Sequence, residues 1–256
     1  MTLQEILKDK KQAIAMKKAA IKHADSSLAM KAGVKSAEAN KEFEQTQEDQ
    51  SDVINRSFVA NTYYWMDSHR DVHVKGCFKK SIDENGQRVF HLADHEFKTN
   101  AKIGEPASLS EVDIPWSSFG VDMSGNTTAV VMSSNIYQKY NENLFTQYLN
   151  NKIDRHSVGM YYVKLDLAIN DPEEKEEFKN WSEIFPLIGN KEEAEKVGYF
   201  WIVREAKLVE VSAVLEGSNE LTDMIDIKNT ENIQPPSGTE KTEPPKSTQK
   251  TITYFY

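Results

Sequence analysis

The hydrophobic pattern of the first fifty residues differs from that of the rest of the chain. Apolar residues recur there at roughly helical spacing, at Leu3, Ile6, Leu7, Ile14 and Ile21. This spacing predicts a helix from about Thr2 to His23, followed by a linker over 35–52. Six lysines and two acids make the helix basic, which leaves open a solvated helix or an arm that docks on a partner helix or scaffold. We therefore define residues 1–51 as a charged N-terminal helical arm and linker.

The middle of the chain is dominated by strand-like segments. Aromatic and β-branched content rises at Val53, and six segments read as strands: Val53–Ala60, Gly120–Met123, Ala129–Met132, Ser157–Leu167, Tyr199–Val203 and Ala206–Leu215. A helix is predicted over Asn135–Ile153. Many strands with few helices between them favour an α+β fold with a mainly antiparallel, barrel-like β core and surrounding helices, over residues 52–228.

Two segments depart from this β pattern. Residues 171–196 carry nine acids and four bases, and Pro172 beside acidic residues is typical of a helix start. The sequence therefore predicts an acidic helical insertion over 171–197. Residues 229–256 are rich in Pro, Thr, Ser, Lys and Glu, so a disordered tail is expected.

Composition narrows the classes of partner and compartment. Net charge is −9, which argues against nucleic acid as the main partner because phosphate binding needs clustered cations. No apolar run is long enough to span a bilayer, and no secretory signal is recognisable in the first ten residues, so no membrane partner is expected. The lone cysteine, Cys77, cannot form an internal disulfide, which fits a reducing cytoplasm.

Three residues, each within a distinctive short sequence motif, suggest nucleophilic catalysis. His95 lies in Leu-Ala-Asp-His-Glu, Ser157 in Arg-His-Ser-Val-Gly-Met, and Glu210 in Leu-Val-Glu-Val-Ser-Ala-Val. A hydroxyl, an imidazole and a carboxylate are the groups that make a serine nucleophilic at neutral pH. We expect His95, Ser157 and Glu210 to meet at one solvent-accessible place.

The local strand pattern refines this expectation. Neighbouring side chains of a strand point to opposite faces, so His156 is predicted to face away from Ser157. Gly159 is predicted to let a substrate backbone approach, since it has no β carbon. Glu210 shares a face with Leu208, where a carboxylate needs a partner such as the Nδ1–H of a histidine.

Two other arrangements remain open. The first is a set of alternating residues that would line one face of an extended segment and are of types that bind metals: Asp67, His69, Asp71 and His73. Turn formation also explains the acidic residues. No metal or cofactor is therefore predicted. Cys77 could act as a nucleophile with His73 or His95, but a buried small residue is the favoured interpretation.

Four segments in order resemble the prohead (capsid maturation) serine proteases of tailed bacteriophages, which are related to the herpesvirus assemblins. They are residues 67–78, residues 92–96 with Ile103-Gly104, residues 156–159 and residues 208–214. The resemblance covers about 52–228 and implies an assemblin-like fold. It implies catalysis by His95, Ser157 and Glu210, with Asp94 or Glu205 as substitutes for Glu210 because assemblins use a second histidine there.

The same resemblance implies what the enzyme would act on. The substrates would be phage scaffold protein, major capsid protein and the chain itself, inside an immature prohead in the host cytoplasm, and the enzyme would be a homodimer. The alternative function is a non-catalytic scaffold or capsid-assembly protein that retains the protease fold.

Overall fold

The fold is built on one mixed β-sheet, seen in a computed structural model that describes residues 1–22 and 52–222. Its strands are β1 (Ile21–Lys22), β2 (Val53–Thr62), β3 (Asp71–His73), β4 (Phe90–Ala93), β5 (Lys102–Pro115), β6 (Asn126–Tyr137), β7 (His156–Ile169) and β8 (Tyr199–Ala213). Seven of them follow the order β1-β7-β8-β4-β5-β6-β2, and β3 pairs with β8 outside this path. The predicted linker over 35–52 lies outside the described residues except for Asp52, and the tail over 229–256 lies outside them entirely.

The sheet is largely antiparallel but open. Five strand pairs are antiparallel, whereas β3 and β4 both pair with β8 in parallel. No pairing joins β1 to β2 within the described ranges, so the prediction of a barrel-like core is wrong in its closure. An assemblin-like fold stays a prediction.

Six helices accompany the sheet: α1 (Leu3–Lys8), α2 (Lys10–Ala19), α3 (Lys79–Asn85), α4 (Glu142–Leu149), α5 (Lys175–Ile184) and α6 (Lys191–Val197). The acidic insertion is helical as predicted, through α5 and α6. It is anchored by Trp181, which is 5% exposed and lies against Phe200 of β8. None of the described helices is long and apolar enough to cross a membrane.

The arm is helical, and its helices pack on the sheet. The single predicted helix is divided at Asp9, which ends α1 and caps α2 by accepting a hydrogen bond from the backbone N–H of Gln12 at 2.9 Å. Ile6 (0% exposed) and Ala13 (4%) belong to the main hydrophobic core. The apolar spacing of the arm therefore reflects burial against its own chain.

Three sequence predictions about the elements differ from the structure. Asn135, predicted to begin a helix, lies in β6, and the helix covers only Glu142–Leu149 because Asn141 caps it. Gly120–Met123 is not a strand, since Gly120 has φ +68° and ends a short 3-10 turn. The two segments predicted after Tyr199 are one strand, β8, of 15 residues.

Candidate active site

His95 is held at the end of β4 by an unusual backbone. Both Asp94 (φ 50°) and His95 (φ 56°) have left-handed backbone, which is uncommon for residues other than glycine and is often found at functional sites. The Asp94 N–H donates to the carbonyl oxygen of Ala213 at 3.0 Å. The turn is thus fixed to the end of β8, and it directs the His95 ring back over that strand.

Glu210 is the carboxylate that the structure places against His95. Its Oε1 lies 2.5 Å from Nδ1 of His95, and the Glu210 side chain is fully buried. Because an ionised carboxylate only accepts hydrogen bonds, Nδ1–H donates, and in the neutral ring Nε2 carries the lone pair. Glu205, one of the suggested substitutes, instead forms ion pairs with Lys164 and Lys80.

Ser212 links the carboxylate to the histidine turn. Its hydroxyl donates to Oε2 of Glu210 at 2.6 Å and accepts from the backbone N–H of His95 at 3.1 Å. Sequence reasoning assigned Ser212 no role. The available signal was its spacing, since residues 210 and 212 of a strand share one face.

Ser157 enters the same site from β7. It pairs directly with Ser212 in the antiparallel register, so the two side chains share a face of the sheet. Its hydroxyl is buried and has no hydrogen-bond partner among the described residues. An unpaired buried hydroxyl is unfavourable by about 1–3 kcal/mol, and such groups are often explained by function.

Gly159 has a different role from the one predicted. It pairs with Glu210, and a β carbon built on it would overlap Oε1 and lie 2.7 Å from Cδ of Glu210. The absence of a side chain therefore makes room for the Glu210 carboxylate, in the place where the sequence predicts a substrate backbone.

The site is enclosed, whereas the sequence predicted a solvent-accessible one. Ser157 is 3% exposed and the His95 side chain 5%. The segment that follows β8 comes close to Ser157, since a β carbon on Gly217 would lie 2.8 Å from the carbonyl oxygen of His156 and 3.6 Å from Cβ of Ser157.

His156 contacts a different set of residues, in agreement with the prediction that it faces away from Ser157. Its ring stacks on Phe58 with centroids 3.6 Å apart, and its Nε2 lies 2.9 Å from the hydroxyl of Tyr148. Burial and the neighbouring His91 lower the pKa of His156. His156 is therefore part of the interior and does not serve as the base for Ser157.

The other candidate residues are Asp67, His69, Asp71, His73 and Cys77. Donor atoms of Asp67, His69 and Asp71 lie within 4.8 Å of one another, but Lys17 Nζ is 2.9 Å from Oδ1 of Asp71 and supplies a cation there. His73 is not part of this group, and its ring stacks on Phe78 with centroids 5.5 Å apart. Cys77 is fully buried in the core.

Comparison of the chain with protein-family models, with curated proteins and with solved structures finds no match. Any functional assignment therefore depends on the residues and geometry described above.

Proposed function

We propose that the protein is a serine endopeptidase that uses Ser157 as nucleophile, His95 as general base and Glu210 to orient His95. The observation that carries this proposal is the Nδ1–H of His95 donating to buried Glu210, at a site that Ser157 enters from the neighbouring strand. Hydrogen bonding at Nδ1 fixes the tautomer whose Nε2 accepts a proton.

In the proposed reaction, Nε2 of His95 takes the proton of the Ser157 hydroxyl while Oγ attacks the scissile carbonyl carbon. The C–N bond then breaks, and the departing amine takes the proton from His95. Water, deprotonated in turn by His95, attacks the acyl carbon. The C–Oγ bond of the ester breaks, Ser157 Oγ takes the proton back from His95, and the product leaves as a carboxylic acid that ionises in water. Glu210 stabilises the imidazolium that forms in each half of the reaction.

The four motifs support the biological setting of the proposal. As a prohead protease, the enzyme acts on scaffold and major capsid protein, and on itself, within an immature phage head in the host cytoplasm. A homodimer is the expected form, as in the related assemblins.

Covalent labelling tests the assignment directly. A fluorophosphonate probe is expected to label the wild-type chain, with peptide mapping that places the adduct on Ser157, and to leave Ser157→Ala unlabelled. Ser182→Ala, an exposed serine on α5, is the matched control and should label as the wild type does. Incubation with scaffold protein should give cleavage by the wild type and none by Ser157→Ala.

The alternative function has its own outcome in this experiment. If the folded wild-type chain is not labelled and does not cleave scaffold protein, the result favours the non-catalytic assembly protein. Cleavage that persists in Ser157→Ala would refute Ser157 as the nucleophile.

A further inference from the structure

The strands that carry Ser157 and lead to His95 are not neighbours in the sheet. Strand β8 lies between β7, which begins one residue before Ser157, and β4, which ends two residues before His95. Ser212 of β8 pairs with Ser157 on one side and with Leu92 of β4 on the other. Two strand spacings, about 10 Å, therefore separate β7 from β4 at the level of the site.

A tyrosine hydroxyl connects these two strands on the other face of the sheet. By their register, His91 of β4 and His156 of β7 lie on the face opposite to Glu210, and Tyr148 of α4 reaches both. The Tyr148 hydroxyl oxygen is 3.1 Å from Nε2 of His91 and 2.9 Å from Nε2 of His156. Because a hydroxyl has one proton, it donates to one ring and accepts from the other. We call His91, Tyr148 and His156 the imidazole bridge.

Each ring of the imidazole bridge has a second contact that holds it. Nδ1 of His91 lies 2.8 Å from the hydroxyl of Ser134 on β6, and the ring of His156 stacks on Phe58 of β2. All three residues of the bridge are 0% exposed. Hydrogen bonds in such a low-dielectric interior are stronger than in water, and they specify one arrangement of the core. The bridge is therefore a defined connection between β4 and β7.

The two histidines of the bridge are close in sequence to the residues of the candidate active site. His156 directly precedes Ser157, and His91 lies four residues before His95, on the strand that leads into the left-handed turn. A movement of β7 relative to β4 would thus change the approach of the serine to the base. Misplacement of reacting groups by about 1 Å can slow a reaction about 100-fold.

We propose that the imidazole bridge sets the separation of Ser157 and His95 from behind the sheet, and that Tyr148 is a positioning residue for the peptidase reaction. This inference rests on the proposed peptidase function. The Tyr148 hydroxyl lies on the face of the sheet opposite to the reacting atoms, so it does not contact them. It acts through His156, which holds the strand of the nucleophile, and through His91, which holds the strand that leads to the base.

The contact between His95 and Glu210 does not depend on the bridge. These residues belong to β8 and to the turn that follows β4, and the two strands pair with each other directly, through Leu92 and Ser212 among others. What depends on the bridge is the position of Ser157 relative to Nε2 of His95. A variant without the bridge should therefore keep the carboxylate–imidazole pair and lose rate in the proton transfer from the serine.

Tyr148→Phe tests this by removing the hydroxyl and keeping the ring. For cleavage of scaffold protein, kcat per folded molecule should fall about tenfold or more with KM within about twofold of the wild-type value. Fluorophosphonate labelling of Ser157 should slow by a similar factor. Tyr63→Phe is the matched control, because Tyr63 is also 0% exposed and its hydroxyl donates to Glu111 of β5 at 2.5 Å. This control loses a hydrogen bond of the same kind and should keep kcat within about twofold.

Two further measurements separate positioning from stability. In NMR spectra of protein with 15N-labelled histidine, the Nδ1–H resonance of His95 should be the same in Tyr148→Phe and wild type, because Glu210 still accepts from it. His91→Gln retains an oxygen that can accept from Tyr148, whereas His91→Leu does not, so kcat of His91→Gln should be higher by about fivefold or more. Combining His91→Leu with Tyr148→Phe should give no further loss than the slower single variant, since both remove the same connection.

The two proposals fail in different ways. Wild-type kcat in folded Tyr148→Phe would refute the bridge as a positioning device and leave the peptidase standing. An equal loss of kcat in Tyr63→Phe would also refute it, by showing a general effect of destabilisation, and so would a rise in KM alone. A folded wild-type chain that neither labels nor cleaves scaffold protein would overturn the peptidase assignment, and with it the catalytic role of the bridge.

Discussion

Gly159 and Glu210 occupy facing positions on β7 and β8, and the Glu210 carboxylate fills the space that a side chain at 159 would need. A β carbon there would lie 2.7 Å from Cδ of Glu210. Glu210 is fully buried and hydrogen-bonded at both oxygens, so it has little freedom to move away. The glycine two residues after Ser157 is thus part of the support for the carboxylate.

Gly159→Ala is therefore expected to displace Glu210 from Nδ1 of His95. Because the added methyl group would overlap the Glu210 carboxylate, we expect destabilisation of about 1–3 kcal/mol, together with a fall in labelling rate of at least 100-fold. Gly86→Ala is the control, because a β carbon there would meet only Ile82 Cγ2 at 3.7 Å. Fluorophosphonate kinetics and urea denaturation measure the two effects, and an unchanged labelling rate in Gly159→Ala would contradict the geometry.

Ser212→Ala tests the link between Glu210 and the His95 turn. The variant removes the donor to Oε2 of Glu210 and the acceptor for the His95 N–H. Because both groups position His95, kcat for a peptide substrate should fall about tenfold or more with little change in KM. Ser182→Ala should match the wild type. A large rise in KM alone would show that Ser212 contacts substrate instead.

The same region shows which parts of the site could be predicted from sequence. The hydrophobic alternation around Glu210 predicts that it lies on a strand and that its carboxylate needs a partner such as a histidine. In the structure, Nδ1 of His95 lies 2.5 Å from Oε1 of Glu210. The role of Ser212 depends on β4 lying parallel beside β8, a pairing between segments more than a hundred residues apart. Single-strand periodicity carries no information about such a neighbour.

The errors in the fold have similar causes. Ile136, Tyr140 and Leu144 have helix-compatible spacing, yet pairing of β6 with both β2 and β5 overrides that local preference at Asn135 and Ile136. The sequence does not predict strand β5, because its 14 residues include charged and small side chains and several of them are exposed. They therefore do not form the apolar run or the regular alternation that indicates a strand. The basic arm looked solvated because its lysines dominate the composition, although Lys10 and Lys17 have partners in the fold.

Two buried histidines predict a loss of stability in mild acid. The Ser134 hydroxyl donates its proton to the carbonyl oxygen of Glu105, so it must accept from Nδ1–H of His91. Nε2 of His91 then has a lone pair, which accepts a hydrogen bond from the Tyr148 hydroxyl. Because that hydroxyl has only one proton, it accepts from Nε2–H of His156. Both rings are neutral in this network. Burial lowers the pKa of His91 from 6.5 to about 3, and burial lowers that of His156 as well.

The sign of the pH effect follows from these directions. Below pH 6.5 the unfolded chain binds protons at both histidines that the folded chain does not, so the free energy of unfolding should fall as the pH falls from 6.5 toward 3. The slope is up to about 1.4 kcal/mol per pH unit for each histidine. Urea denaturation between pH 7 and 5, above the range in which most carboxylates titrate, measures it. His91→Gln should have a shallower slope, and a flat wild-type profile would contradict neutral buried rings.

Trp181 provides a test of whether the acidic insertion serves stability or catalysis. Its ring stacks on Phe185 with centroids 4.8 Å apart and contacts Phe200 of β8 at 5.0 Å, with 5% of the residue exposed. Trp181→Ala should therefore lower the free energy of unfolding by about 3–5 kcal/mol. Leu187→Ala, at a residue that is 44% exposed, should change the free energy of unfolding by less than about 0.5 kcal/mol.

The folded fraction of Trp181→Ala should label with fluorophosphonate at the wild-type rate, because Ser157, His95 and Glu210 are held by β4, β7 and the far end of β8. A loss of labelling without a loss of stability would instead show that the insertion takes part in the reaction.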